Sequence, residues 1–97
     1  MLFVIGCEEV ATVRILAPSE LAGAAVLVDG ADWGVLVLQN GKATAEIAIS
    51  PFADHELRIQ RHDIRPIVRR LHYAGYGHFT DTIQENEIQL HRAARTS

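Results

Sequence analysis

Histidines are the residues of this 97-residue chain with the clearest capacity for chemistry. Zinc sites usually pair their ligands at close spacing, such as two histidines four positions apart on a helix. The histidines here are seven, ten, six and thirteen residues apart, so only the fold could bring them together. A small metal-dependent enzyme is therefore one open hypothesis, and scattered surface histidines are the simpler interpretation. The candidate metal ligands are His62, Asp63, His72 and His78, and the remaining two histidines are His55 and His91.

The arginines of the second half of the chain suggest a different chemistry. Arg61, Arg65 and Arg69 are spaced four residues apart, which on a helix would align them in one ridge. Guanidinium groups bind phosphates and carboxylates, and aromatic residues just beyond the ridge could stack on bases. This predicts an anion-binding or nucleic-acid-binding surface. The net charge of −3 makes nucleic acid the less favoured partner, and a solvated helix face would also explain the spacing.

Signs of catalysis are absent from the sequence. It contains no nucleophile elbow, no phosphate-binding glycine loop and no paired-carboxylate motif. Its single cysteine, Cys7, is followed by two glutamates, whose negative charges disfavour a reactive thiolate. One cysteine cannot form an intrachain disulfide, which favours a reducing compartment and predicts a cytoplasmic protein. No cofactor is implied, and enzymatic activity is unsupported.

A third candidate site consists of apolar residues. Trp33 follows a turn, so it is either a cap over the core or an exposed anchor at an interface. Val35 and Val37 belong to a strand face that is otherwise mixed, and such aliphatic content suggests contact with another chain. Burying this face in a homodimer needs only one surface. The predicted partner-binding residues are therefore Trp33, Val35 and Val37.

The elements that must position these residues belong to one small domain, expected to span residues 1–97. A composition of 48% hydrophobic and 22% charged residues is typical of globular proteins. No apolar run approaches the ~20 residues that a membrane-spanning helix needs. The sequence therefore predicts a domain that does not associate with membranes.

Glycine, proline and Asp/Asn turns divide the first two thirds of the chain into short strands. The clearest turn is Asn40-Gly41, because this pair is preferred in two-residue type I′ hairpins. It predicts a hairpin between Val35–Gln39 and Lys42–Ile49. In the expected register, Gln39 faces Lys42, Leu38 faces Ala43 and Leu36 faces Ala45. Leu36 and Leu38 then belong to the core face, whereas Val35 and Val37 belong to the mixed face.

The spacing of apolar residues changes after residue 62. Five residues at intervals typical of one helix face predict an amphipathic helix at about 63–74, namely Ile64, Ile67, Val68, Leu71 and Ala74. Beyond it, Phe79–Gln84 and Glu87–His91 predict a C-terminal hairpin. The predicted fold class is α+β, mainly antiparallel β in a sandwich or bent sheet, with this one helix.

Part of the sequence resembles a known family. A strand ending in Val28-Asp29-Gly30, then Gly34, the segment Asn40–Ile47, and Pro51 before Leu57–Ile59 are similar to PEGA-type and related prealbumin-like small β-sandwich modules. The resemblance covers residues 24–61. It departs from the family pattern because no proline follows Gly34 and because the predicted helix and last hairpin are additional. It implies a non-catalytic surface or adaptor module.

These observations together predict a non-catalytic binding or assembly domain that acts through protein–protein contacts. A homo-oligomer is the favoured form. An anion or nucleic-acid binder and a small metal-dependent enzyme are the alternatives.

Overall fold

The computed structural model describes residues 10–90, which form eight β-strands in two four-stranded sheets. One sheet has the strand order β4-β5-β1-β8 and the other has the order β3-β2-β6-β7. Short 3₁₀ turns occur at Ser19–Leu21 and Glu85–Glu87. The strands are β1 (Ala11–Pro18), β2 (Ala25–Val28), β3 (Ala31–Val35), β4 (Val37–Gln39), β5 (Lys42–Ile49), β6 (His55–Gln60), β7 (Ile67–Leu71) and β8 (Gly77–Thr82).

A single hydrophobic core joins the two sheets. Alternate residues of the central strands are buried, as expected for strands that bury one face, so β1 buries Val13 and Ile15 while β6 buries Leu57 and Ile59. Residues of both sheets belong to one buried cluster. The two inner faces therefore pack on each other as a β-sandwich.

Two-residue turns set the register of both short hairpins. Asn40 and Gly41 have φ values of 50° and 79°, and Asp29 and Gly30 have values of 52° and 84°. Positive φ at both central positions is the type I′ geometry, which suits Asn-Gly and Asp-Gly. The predicted register next to Asn40-Gly41 is confirmed for Gln39 with Lys42 and for Leu38 with Ala43. The predicted pair of Leu36 with Ala45 does not form, because the β4–β5 ladder ends at Val37 and Thr44.

The strand predicted over Val35–Gln39 is wrong, because Leu36 divides it between the two sheets. Val35 ends β3, and Val37 begins β4 in the other sheet. At the crossing, the Leu36 N–H donates to the Ala24 carbonyl at 2.9 Å, and the Leu36 carbonyl accepts from the Gly23 N–H at 2.8 Å. The side chain of Leu36 is buried, so it anchors the crossing in the core.

The predicted α+β fold is also wrong, because residues 10–90 form an all-β structure with no helix at 63–74. Ile67–Leu71 is strand β7, paired antiparallel with β6, and Ile64 forms an isolated bridge with Leu90. The apolar residues of this segment are rich in β-branched side chains, and Pro66 disfavours helical backbone at the residue before it. Ile67 and Leu71 both point inward at strand spacing as well.

The C-terminal hairpin is a further incorrect prediction. Strand β8 runs parallel to β1 at the edge of its sheet, with Val13 beside Phe79 and Ile15 beside Asp81. Residues Glu85–Glu87 form a 3₁₀ turn where the hairpin turn was expected. Cys7 and His91 lie outside the described residues.

No helix within residues 10–90 is long and apolar enough to cross a membrane.

Candidate protein-binding side of the sandwich

The sandwich has two open sides, each formed by one edge strand from each sheet. Strands β7 and β8 form one, called here the β7–β8 side, and strands β3 and β4 form the β3–β4 side. At an open side of a sandwich, the edge of the core is close to water unless side chains cover it. The two sides differ in how far side chains cover the core.

On the β7–β8 side, an ion-pair cluster connects the two sheets. Arg69 of β7 donates from Nε and Nη2 to both carboxylate oxygens of Asp81 on β8, at 3.0 and 2.7 Å. Its Nη1 donates to Glu87 Oε1 at 2.6 Å. Glu87 in turn accepts the backbone N–H of Gln84, which fixes the 3₁₀ turn. This bidentate geometry suits a guanidinium group and makes Arg69 a bridge between the sheets.

Aromatic and aliphatic side chains complete this side. Tyr73 stacks on Phe79 with ring centroids 4.4 Å apart and an interplanar angle of 27°. Ile83 is buried, and Ile88 packs against the core from the end of the 3₁₀ turn. Partial burial raises the pKa of the Tyr73 hydroxyl above its ordinary value. The β7–β8 side is therefore covered by the chain itself.

The β3–β4 side exposes apolar side chains. Trp33, Val35, Val37 and Leu38 leave 42%, 49%, 55% and 57% of their surfaces exposed, around the buried Leu36. Every residue of β3 and β4 is exposed. Trp33 is therefore not a core cap. The structure leaves the three predicted partner-binding residues exposed on the two strands of this side, but it does not place them on one face. Val35 lies opposite Ala25 and Val37 opposite Thr44, so the two valines point outward from different sheets.

Leu38 is the residue of this side that the sequence analysis missed. It faces the buried Ala43 across the β4–β5 ladder, so it was assigned to the core face. It nevertheless remains exposed because β4 is an edge strand and lies at the rim of the sandwich. Its spacing indicates the core face correctly, but spacing alone does not reveal whether the facing sheet extends far enough to cover it.

Other exposed apolar residues within residues 10–90 are less suited to a partner. Phe52 and Tyr76 contact each other edge to face, with centroids 6.0 Å apart, and so cover part of each other. Val68 is flanked by Arg58 in the next strand. Val10 and Leu90 lie at the two ends of the described chain. The β3–β4 side therefore holds four of the nine exposed large apolar side chains of residues 10–90.

All four edge strands have features that resist pairing with a strand of another chain. In β3, Trp33 and Gly34 form a bulge opposite Val26, and the Asp32 carboxylate accepts the Gly34 N–H at 2.8 Å. Strand β4 has only three residues. Strands β7 and β8 place the charged groups of Arg69 and Asp81 on their inner faces, which disfavours strand addition. A partner would therefore contact side chains and would not extend either sheet.

The three candidate anion-binding arginines do not share one ridge, since the helix that would have aligned them is absent. Arg61 binds the Asp63 carboxylate at 2.6 Å and the Glu20 carbonyl at 2.7 Å. This contact holds the pKa of Asp63 below its ordinary value. Arg69 belongs to the inter-sheet cluster, and Arg65 is exposed. Two of the three guanidinium groups are thus neutralised by carboxylates of the same chain.

The candidate metal ligands lie on different elements. His62 and Asp63 occupy the turn after β6, His72 follows β7, and His78 lies on β8. The ring of His72 bonds Asp54 at 2.8 Å. Across residues 10–90, no group of three or more histidine, cysteine or acidic side chains is arranged to hold a metal ion. His55, which was not singled out, makes the most complete set of hydrogen bonds of the histidines in this range.

The comparison with known proteins adds no further assignment. The chain matches no known protein-family model and no curated protein sequence.

Proposed function

We propose that this domain is a non-catalytic assembly module that binds other protein chains through its β3–β4 side, with a second copy of itself as the favoured partner. The exposure of Trp33, Val35, Val37 and Leu38 in one stretch of chain carries this proposal. Tryptophan is enriched among the residues that dominate binding energy at interfaces, and the buried centre of an interface is more apolar than the rest of the protein surface. Self-association is favoured because a two-fold interface needs only one such surface.

The contrast between the two open sides supports the proposal. The β7–β8 side is covered by its own ion pairs and aromatic stack, whereas the β3–β4 side has apolar groups without such cover. The resemblance of residues 24–61 to PEGA-type modules implies the same class of function, namely a non-catalytic adaptor. A cytoplasmic location belongs to this proposal and depends on the single cysteine of the chain.

We expect the double variant Val35→Ser/Val37→Ser to lose self-association, because it replaces one exposed aliphatic side chain on each strand of the β3–β4 side with a hydroxyl. Sedimentation velocity across a concentration series should show the wild type as an oligomer and the variant as a monomer. Removing two exposed aliphatic side chains from an interface raises its dissociation constant by about tenfold or more.

Val68→Ser is the matched control, since Val68 and Val35 are both 49% exposed but lie on opposite sides of the molecule. It should associate as the wild type does. The proposal is wrong if the wild type is monomeric over the whole series, or if Val68→Ser and the double variant weaken association equally.

A further inference from the structure

One end of the sandwich contains a histidine with both ring nitrogens engaged. His55, at the start of β6, places Nδ1 2.6 Å from Asp29 Oδ2 and Nε2 2.8 Å from the Ser50 carbonyl oxygen. Its side chain is only 12% exposed. Asp29 belongs to the β2–β3 turn and Ser50 follows β5, so the ring joins two separate connections to the first residue of β6.

The hydrogen-bond chemistry fixes the protonation of this ring. A backbone carbonyl only accepts, so Nε2 must carry a proton. A carboxylate also only accepts, so Nδ1 must carry one as well. Neutral imidazole has a single N–H and would leave one ring nitrogen facing an oxygen at short distance. Only the imidazolium ion satisfies both contacts.

Asp29 is held from three directions. Its Oδ1 accepts the Glu56 N–H at 2.9 Å, and its own N–H donates to the Glu56 carbonyl at 2.9 Å. With the His55 contact, these bonds fasten the Asp29-Gly30 turn to β6. Both central residues of this turn have positive φ, so these bonds stabilise one specific backbone conformation.

We propose that His55 is a pH-sensitive clasp, which as an imidazolium holds the β2–β3 turn and the β5–β6 connection together and, on losing its proton, opens this end of the sandwich. This inference does not depend on the proposed assembly function. It concerns residues 28–31 and 50–56, whereas the assembly surface begins at Trp33.

The charges around the ring favour the imidazolium. Asp29 faces it from the β2–β3 turn, and Asp54 and Glu56 line the same cavity of about 400 Å³ from the β5–β6 connection and β6. Arg69 and Arg70 reach this cavity from β7. Arg69 is engaged by Asp81 and Glu87, and Arg70 is 3.9 Å from Asp54. Asp54 also contacts His72 at 2.8 Å, and Glu56 contacts Arg58 at 3.7 Å, so Asp29 is the carboxylate that acts most directly on His55.

The titration has a definite direction. The hydrogen bond to Asp29 raises the pKa of His55 above its ordinary value of 6.5, and the bond from His55 lowers the pKa of Asp29 below 3.8. The stabilisation from His55 is complete below pH 6.5 and is lost as the pH rises through the folded-state pKa of His55. The stabilisation from Asp29 is present above pH 3.8 and is lost as the pH falls through its own lowered pKa.

The test is an NMR titration of the uniformly ¹⁵N-labelled full chain from about pH 5 to about pH 9, a range that brackets the ordinary histidine pKa. We expect both ring nitrogens of His55 to be protonated at neutral pH. The midpoint of the His55 titration should lie above the ordinary histidine pKa of 6.5. As His55 loses its proton, the Glu56 amide should exchange about tenfold faster or more, after correction for intrinsic rates. The amide of Val13 in the other sheet should be unaffected.

The variant Asp29→Asn keeps the shape of the side chain and removes its charge, so the midpoint of the His55 titration should fall towards the ordinary histidine pKa of 6.5. An unprotonated His55 ring nitrogen at neutral pH would overturn the proposal. So would Glu56 exchange that does not follow the His55 titration, or a His55 midpoint that Asp29→Asn leaves unchanged. If Asp29→Asn does not fold, the wild-type titration alone decides between these outcomes.

Discussion

Replacing Arg69 by alanine should lower the free energy of unfolding by about 2–4 kcal/mol, the range expected when one partner of a largely buried ion pair is removed. The physical reason is the carboxylate that remains. Asp81 is only 12% exposed and lies on the inner face of β8, beside the buried Ile15. Within residues 10–90, Arg69 is the cation that forms an ion pair with Asp81, so its removal leaves the desolvation of this carboxylate without compensation from that range. Arg69 itself is 29% exposed, so we expect less than the full effect of a completely buried pair.

Arg70→Ala is the control for this prediction, because it removes the same side chain one residue away. Arg70 is 78% exposed and has one carboxylate contact at 3.9 Å, so its loss should change the stability by no more than about 0.5 kcal/mol. Urea unfolding gives the free energy of unfolding of both variants, and the slope of this free energy with urea concentration should stay constant. Equal midpoints for Arg69→Ala and Arg70→Ala would show that the cluster does not join the sheets.

Leu36→Ala should destabilise the domain by about 2–5 kcal/mol, the usual range for a leucine removed from a packed core. Leu36 is 1% exposed and anchors the crossing from β3 to β4, where both of its backbone groups are hydrogen-bonded. Its loss would leave a cavity at the point where the chain changes sheets.

Leu38→Ala removes the same atoms two residues later, from a side chain that is 57% exposed. We expect a loss below about 1 kcal/mol, because little apolar surface is returned to water. Thermal unfolding at low protein concentration compares the two variants. If Leu38→Ala is as destabilising as Leu36→Ala, the chain does not cross between the sheets at Leu36.

Turn chemistry was the most predictable part of this fold. Asn40-Gly41 specified a two-residue turn and the register of the strands beside it, because few residue pairs accept positive φ at both positions. The division of residues 35–39 between two sheets was not predictable in this way. Leu36 is buried between the exposed Val35 and Val37, which is the alternation that one continuous strand would also show. Only the hydrogen bonds of Leu36 to Gly23 and Ala24 reveal the crossing.

The region after residue 62 was misassigned because of a charged residue at an inward position. Ile67, Arg69 and Leu71 form the inner face of β7, and a strand pattern would require an apolar residue at 69. Arginine is acceptable there because Asp81, twelve residues later, neutralises it from the other sheet. Such a long-range partner has no local signature. The parallel pairing of β8 with β1 also has no local signature, because no turn sequence connects these two strands directly.

The candidate binding surface was predictable in its residue types but not in its geometry. Trp33, Val35 and Val37 stood out as apolar residues on a mixed face, and their exposure agrees with that hypothesis. The hypothesis placed Val35 and Val37 on one strand, whereas they lie on opposite sides of the crossing at Leu36. Which apolar residues remain exposed depends on how far the two sheets overlap, and this overlap is determined by the whole fold.

The emission of Trp33 is the most direct test of the proposed assembly, since it is the only tryptophan in the chain and lies on the β3–β4 side. We expect its emission maximum to move to shorter wavelength, and its quenching by acrylamide to fall, over the concentration range in which sedimentation shows the mass to increase. A mass increase without a change in Trp33 emission or quenching would place the contact elsewhere on the molecule and contradict the account.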